Sequence, residues 1–380
     1  MTRKVFYITG TRADFGLMAE TLQVINSSKY IDLSIIVTGT HLSKEFSYTV
    51  KDIYASKIKI CKKIYVENQR TNDAQITPKN IAKIIHELST FFKKNKPDIL
   101  VLLGDRGEML GGAIAAIHQG INIVHIHGGE RSGTIDESVR HAISKLSHYH
   151  FVSNADSKNR LEKMGEKTSN IYNVGAPGLV NIKKNLLSMS SLYSLFKLQS
   201  NLEIALFIYH PVPEYTNNLN FIVINNIFKV LLKLKIQIIV LYPNSDAGSL
   251  MVKKYLDYYK ENKLVRFNTN LDRKIFLSFM KHSKFMIGNS SSGIIEAASF
   301  DLPVINIGLR QNLRARNRNV YDLSDKFKDA ELEKLVIKLL NQKKLKTNNI
   351  YYKVNTSLKI TKLLESLNIE KNILNKINTY

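Results

Sequence analysis

Nearly continuous apolar runs recur along the chain, separated by longer stretches whose apolar positions fall every three or four residues. "KVFYIT" (4–9), "LSIIVT" (33–38), "DILVLL" (98–103), "INIVHIH" (121–127), "YHFVS" (149–153) and "IYNVG" (171–175) mostly lack the in-out alternation of half-exposed strands. Strands covered on both faces read this way. Between them, "NIAKIIHELSTFFKKN" (80–95) sets Ile81, Ile84, Ile85, Leu88, Phe91 and Phe92 at helical spacing. The alternation predicts repeated βαβ units and parallel sheets. After "GAPGLVNI" (175–182) comes a polar stretch, residues 183–201. A second set of runs follows: "EIALFIY", "QIIVLY", "VRFN", "FMIG" and "PVINIG". The expected architecture is therefore α/β, with two Rossmann-like, doubly wound domains at 1–178 and 179–360 facing a central cleft. A C-terminal helix at 361–380 is expected to pack back on the first domain.

Composition agrees with this picture. A chain of 380 residues has room for two domains of ordinary size, and 44% hydrophobic with 23% charged residues is a globular composition. The single cysteine, Cys61, cannot form an internal disulfide. The first apolar run soon meets Arg12 and Asp14, too early for a signal peptide or a membrane span, so the reading is cytoplasmic. The formal charge of +23 would suit a nucleic acid or a membrane surface, but the lysines are scattered and form no arginine-rich stripe. An anionic small substrate explains the sign equally well.

Chemistry-bearing residues fall at the carboxyl ends of the expected strands, where doubly wound proteins bind ligands. Arg12 and Asp14 follow the first run, His41 the second, Asp105 of "GDRGE" the third, and "HIHGGE" ends the fourth. In the second half His210, then Asn244 and Asp246, then "GNSSSGIIE" stand in the same relation to their strands. Neither a Walker sequence nor a GxGxxG fingerprint is present.

The segment "HIHGGERSGTIDESVRHAISKLSHYH" (125–150) is dense in ionisable groups. His125 and His127, two apart on a strand, are expected to face the same side. Thr134 reads as a helix cap with Glu137 as its capping-box partner. The helix would start at Ile135 and bury Val139, Ala142, Ile143 and Leu146, while Asp136 and Arg140 share another edge. A capped surface helix with an ion pair accounts for Asp136 as well as a catalytic role does. His148 and His150 read as structural, and His141 stays open. "HIH" could be a metal pair, but no further ligand cluster at metal spacing completes it, so no metal is expected. "GNSSSGIIEAA" (288–298) suits an anion through helix N–H groups and the hydroxyls of Ser290 and Ser291. Glu296 is placed to accept from a ribose diol; a serine-capped helix with one Glu is the plainer alternative.

"TGTRADFG", "GTHLS", "GDR", "HIHGGERSGTIDESVRHAISKLSHYHFV", "GAPG", "HPV", "YPNSDAGS" and "MIGNSSSGIIEAASFDLPVINIGLRQ" occur in this order across nearly the whole chain. Together they resemble the hydrolysing UDP-N-acetylglucosamine 2-epimerases of sialic-acid biosynthesis. The resemblance implies a fold like that of the GT-B nucleotide-sugar glycosyltransferases, a homodimer, no metal or other cofactor, and conversion of UDP-N-acetylglucosamine and water to N-acetylmannosamine and UDP. It places UDP contacts on Arg12, His210, Ser290, Ser291, Glu296 and Arg310, with Asp14, His41, Arg140, Ser292 and Gly293 completing the substrate-binding set. Catalytic carboxylates fall on Asp105 and Asp136, with His127, Glu130 and His210 as further acid/base candidates. Two departures bear on the substrate: His127 stands where sialic-acid-pathway members often carry Glu, and "QNLRARNRNV" after Arg310 lacks expected glycines. A related branch, acting on a UDP-linked 2,4-diacetamido-2,4,6-trideoxyglucose on the way to legionaminic acid, resembles the chain in "HIHGGE" and "GAPGL". A glycosyltransferase on the same scaffold would release UDP only with an acceptor, and a nucleotide or nucleic-acid binder would release none.

Overall fold

The computed structural model describes residues 2–45, 47–67, 75–212, 217–243, 248–268, 271–343, 345–370 and 374–379. The chain divides into two α/β units, one running through Val180 and resuming at Tyr351, the other spanning Asn181–Ile350.

The first unit is built on β1 (Arg3–Thr9), β2 (Ile31–Val37), β3 (Lys59–Lys63), β4 (Ile99–Leu103), β5 (Asn122–Ile126), β6 (Tyr149–Val152) and β7 (Ile171–Asn173). They form one sheet in the order β3-β2-β1-β4-β5-β6-β7, with every neighbouring pair parallel. All five residues of β4 and of β5 are buried, which is why these strands read as unbroken apolar runs. One face packs Val5, Tyr7 and Val101 against the helix Arg12–Asn26; the other packs Phe6, Ile8 and Leu100 against the helix Ile76–Lys94 through Ile84, Leu88 and Phe92.

The second unit repeats the plan with β8 (Ile204–Ile208), β9 (Gln237–Leu241), β10 (Val265–Asn268), β11 (Phe285–Gly288), β12 (Val304–Ile307) and β13 (Val320–Leu323). Its parallel order is β10-β9-β8-β11-β12-β13. In each sheet the order reverses once, between β1 and β4 and between β8 and β11. Those two switch points are where a doubly wound sheet opens a crevice at its strand ends.

Two strands were not legible in the apolar pattern, β3 ("KICKK") and β13 ("VYDL"). Both are sheet edges with largely half-buried side chains, so neither needs a continuous apolar run. The C-terminal return also differs from expectation. The chain rejoins the first unit at Tyr351, and its helix is Thr356–Ser366 rather than a segment beginning at 361. Buried Ile360 and Leu364 join the core there. Thr21 Oγ1 meets Ser357 Oγ at 2.8 Å, and Arg3 donates to the Leu364 carbonyl at 3.0 Å. Among the described residues, no helix is long and apolar enough to cross a membrane.

Candidate active site

At the first switch point, β1 ends in Thr9 and the following helix opens with a capping box between Thr11 and Asp14. The Asp14 carboxylate accepts from the Gly10 N–H at 3.1 Å, the Thr11 N–H at 3.0 Å and the Thr9 hydroxyl. Burial pushes its pKa up to about 6, against the opposing pull of the Thr9 hydrogen bond. His41 lies in the same buried network, with Nε2 3.0 Å from Thr9 Oγ1 and Nδ1 2.9 Å from Thr49 Oγ1. Burial pulls its pKa down to about 4. Asp14 and His41 thus lie beneath the 9–12 loop and set its shape, while Arg12 stands at its half-exposed rim, 3.0 Å from Asp52.

Asp105 follows β4 on the other side of the switch point, and its carboxylate receives Arg140 Nη2. Arg140 is buried and donates through Nη1 to the Glu130 carbonyl at 3.0 Å. The Glu130 carboxylate accepts from His127 Nδ1 at 2.5 Å and from Ser153 Oγ at 2.6 Å. Asp105, Arg140, Glu130 and His127 therefore form one connected chain.

Several local expectations are corrected here. His125 and His127 do not continue one strand face: β5 ends at Ile126, and His127 has φ of 64°, a left-handed backbone that breaks the alternation. His125 is spent on structure, with Nε2 2.7 Å from the Gly104 carbonyl and Nδ1 3.0 Å from Ser144 Oγ, and burial lowers its pKa to about 3. The helix after the loop is Asp136–Leu146, with Ile135 at the cap position and no side-chain cap bond. Glu137 accepts from the Ser132 N–H at 2.7 Å, so the expected capping box with Thr134 does not form. Of the expected apolar stripe, Ile143 is buried and Val139 and Leu146 pack partly buried against the core, whereas Ala142 is exposed; Arg140 and Ser144 are buried beside it. The inner edge of this helix meets the polar loops after β4 and β5, so side chains with hydrogen-bond partners occupy it. Asp136 is half-buried at the first turn, and no hydrogen bond or ion pair from the described residues reaches its carboxylate. His148 accepts the Ile123 N–H at 3.0 Å and His150 lies 2.8 Å from Glu166, both structural as read; His141 lies 3.7 Å from Glu137. Among the described residues, no three His, Cys, Asp or Glu side chains converge as a metal set.

In the second unit, His210 follows β8 and Asn289 follows β11. Asn289 is fully buried and staples the two loops: its Oδ1 accepts the His210 N–H at 2.7 Å and its Nδ2 donates to the His210 carbonyl at 2.8 Å. Its own carbonyl accepts from Arg310 at 3.2 Å and Gln311 at 3.1 Å. The switch point thus gathers His210, Ser290 and Arg310 around one asparagine. Ser290 caps a helix of only five residues, Ser291–Ile295, and its hydroxyl is 2.9 Å from that of Ser292. So short a helix aligns few peptide dipoles, which leaves the hydroxyls and local N–H groups as the principal anion donors. Gly293 is buried, and a Cβ there would stand 2.9 Å from Val304 Cγ1, so packing alone requires this glycine. Glu296 is 4% exposed and bound to Arg273 Nη2 at 2.7 Å. Asn244 and Asp246 lie outside the described residues.

Sequence reasoning missed Arg273, Asn289 and Ser153. Asn289 sat in plain view within "GNSSSG", but its burial and its reach to the β8 loop require the sheet order. Arg273 and Ser153 are distant in sequence from the carboxylates they meet, and no spacing rule connects them.

The UDP-N-acetylglucosamine 2-epimerase family profile matches residues 23–365. The chain belongs to this family. Among its relatives, the UDP-N,N'-diacetylbacillosamine 2-epimerase (hydrolyzing) of Legionella pneumophila is 46% identical over 385 residues, covering 100% of both chains. The GDP/UDP-N,N'-diacetylbacillosamine 2-epimerase (hydrolyzing) of Campylobacter jejuni is 38% identical and covers 90% of this chain and 89% of its own. Among solved structures, UDP-GlcNAc 2-epimerase from Neisseria meningitidis bound to UDP-GlcNAc superposes with a TM-score of 0.79 at 20% identity, covering 95% of this chain and 99% of that one. That likeness shows the family's two-domain α/β fold, and by family the chain is a UDP-sugar 2-epimerase.

Proposed function

We propose that this epimerase is hydrolysing and acts on UDP-N,N'-diacetylbacillosamine, the UDP-linked 2,4-diacetamido-2,4,6-trideoxyglucose, releasing UDP and the free 2,4-diacetamido-2,4,6-trideoxymannose. The observation that carries the reading is His127. It stands where members using UDP-N-acetylglucosamine often carry a carboxylate, and the Legionella and Campylobacter relatives named for the diacetamido substrate support the same branch. An imidazole donates as well as accepts, which suits a sugar bearing a second acetamido group at C4.

The chemistry follows from the substrate. No carbonyl flanks C2, so its proton is acidified only as UDP departs from C1. The C1–O electron pair leaves with UDP, the C2–H pair becomes the C1–C2 double bond, and the proton passes to a base, giving a 2-acetamidoglycal. A proton then returns to C2 from the opposite face, water oxygen bonds to C1, and the proton that water sheds passes to a base. Arg310 and the Ser290 and Ser291 hydroxyls stabilise the departing diphosphate, and His210 and Glu296 hold the nucleotide. Stabilising developing charge is usually the largest single contribution. Asp105, Asp136 and His127 supply the proton-transfer groups, each worth about 10² to 10⁴ in rate.

The test is UDP release with water as the only acceptor, comparing kcat/KM for UDP-N,N'-diacetylbacillosamine and UDP-N-acetylglucosamine in the wild type and in His127→Ala. The expected result is a preference for the diacetamido sugar and loss of most activity in the variant. Preference for UDP-N-acetylglucosamine would overturn the substrate assignment. UDP release that required an added acceptor would point to a glycosyltransferase.

A further inference from the structure

We infer that Glu130, with Ser153, is a positioning pair that holds His127 in one tautomer, Nδ1 protonated and Nε2 left as the reactive nitrogen. Glu130 then moves no proton itself. The part of this inference that concerns catalysis rests on the function proposed above; the tautomer does not.

An ionised carboxylate only accepts hydrogen bonds, so the 2.5 Å contact between Glu130 Oε1 and His127 Nδ1 places the proton on Nδ1. The same oxygen accepts from Ser153 Oγ at 2.6 Å, and the Glu130 side chain is only 2% exposed, so it is fixed from two sides in a dry setting. Its backbone is fixed too, since its carbonyl accepts from buried Arg140, which Asp105 engages in turn. His127 pairs its own N–H with the Phe151 carbonyl, at the 3.1 Å end of the β5–β6 ladder, and takes up its left-handed φ of 64° there. A non-glycine residue held in that region is sustained only where its surroundings over-determine it.

The two glycines that follow allow no slack. A Cβ on Gly128 would stand 2.8 Å from His125 Nδ1 and 2.9 Å from Ser144 Oγ, and one on Gly129, at φ 74°, would stand 2.4 Å from the Ser157 carbonyl oxygen. The turn from 127 to 130 is therefore packed into one shape, and its product is the His127–Glu130 contact. The neighbouring histidine supplies the contrast. His125 spends both ring nitrogens on Gly104 and Ser144, whereas no hydrogen bond from the described residues reaches His127 Nε2. His127 keeps 11% of its side chain exposed, enough for one ring edge to meet a ligand. When Nε2 takes a proton, the resulting imidazolium already has its counter-charge, the role a buried carboxylate plays behind a catalytic histidine.

The experiment joins a spectroscopic and a kinetic readout on the full chain. Nitrogen-15 NMR of histidine-labelled wild type, with the His127 signals assigned by their absence in His127→Gln, is expected to show the neutral ring protonated at Nδ1. Glu130→Gln, whose amide can accept or donate, is expected to admit both tautomers. Its kcat should fall about 10²- to 10³-fold, with the dissociation constant for UDP within threefold of wild type. Ser153→Ala should give a smaller fall in the same direction. In the His127→Ala background, Glu130→Gln should add little, because groups acting as a unit are not additive. The inference is overturned by a wild-type His127 ring protonated at Nε2, by unchanged kcat in Glu130→Gln, or by full multiplication of the two single losses. A wild type that shows the Nδ1–H tautomer but releases no UDP from either sugar would uphold the positioning pair and sink the proposed function.

Discussion

At the scale of single residues, the carboxylates divide by what already holds them. Asp14 and Glu296 are buried and engaged by protein groups, whereas Asp136 sits half-exposed at a helix start, its carboxylate untouched by the described residues. Glu296, fixed on one oxygen by Arg273, is suited to a contact made alike in ground and transition states. Glu296→Ala is expected to raise KM and weaken UDP binding by about tenfold, with a smaller change in kcat, measured by steady-state kinetics and calorimetry. Asp136→Asn should lower kcat by about 10² or more and leave UDP affinity nearly unchanged. Normal turnover in Asp136→Asn would return that residue to the status of an ordinary helix-start carboxylate. Residue types were readable in the sequence, but partners were not: the Asp105–Arg140 and Glu130–Ser153 contacts join residues 35 and 23 positions apart.

At the scale of elements, Arg12, Asp14, His41, Asp105 and His127 in the first unit and His210 and Ser290 in the second follow the carboxyl ends of strands, as the apolar runs foretold. The runs located the strands because buried parallel strands must be apolar on both faces. They could not supply the sheet order, and that order sets which loops become neighbours. Asn289 illustrates this, since it joins the loops after β8 and β11 only because those strands are adjacent. Asn289→Ala strands the His210 N–H and carbonyl and should destabilise the protein by about 2 to 4 kcal/mol. Chemical denaturation reads that loss, and UDP binding should weaken with it. Gly129→Ala forces a Cβ against the Ser157 carbonyl at an unfavourable φ, and should cost about 1 to 3 kcal/mol and depress kcat through the displaced His127–Glu130 contact. The helix at 136–146 shows where periodicity is incomplete: the apolar stripe of Val139, Ile143 and Leu146 meets the core, but the neighbouring edge, expected to carry a surface ion pair, buries Arg140 and Ser144 against polar loops.

At the scale of the whole molecule, buried histidines make folding sensitive to acid. His125, His41 and His148 have pKa values lowered by burial from 6.5 to about 3, 4 and 4. The folded state refuses protons that the unfolded chain accepts, so their contribution is fully present above about pH 6.5 and is lost as pH falls toward 4. Asp14, raised to about 6, acts in the opposite sense between about pH 6 and 4, but it is one group against three. The Tm is therefore expected to be lower at pH 5 than at pH 7.5; equal values would contradict this. The return of the chain to its first unit was expected from the sequence, but beginning at 361 rather than at Tyr351, since where the chain rejoins that unit depends on contacts such as Thr21 with Ser357. The proposal that the whole molecule breaks the sugar–UDP bond by elimination and rehydrates the glycal meets its most direct test in deuterium oxide. UDP-N,N'-diacetylbacillosamine incubated with the enzyme should yield free UDP and a free sugar inverted at C2 carrying one deuterium there, read by proton NMR and mass spectrometry. Full retention of protium at C2, or an inverted sugar still attached to UDP, would contradict it.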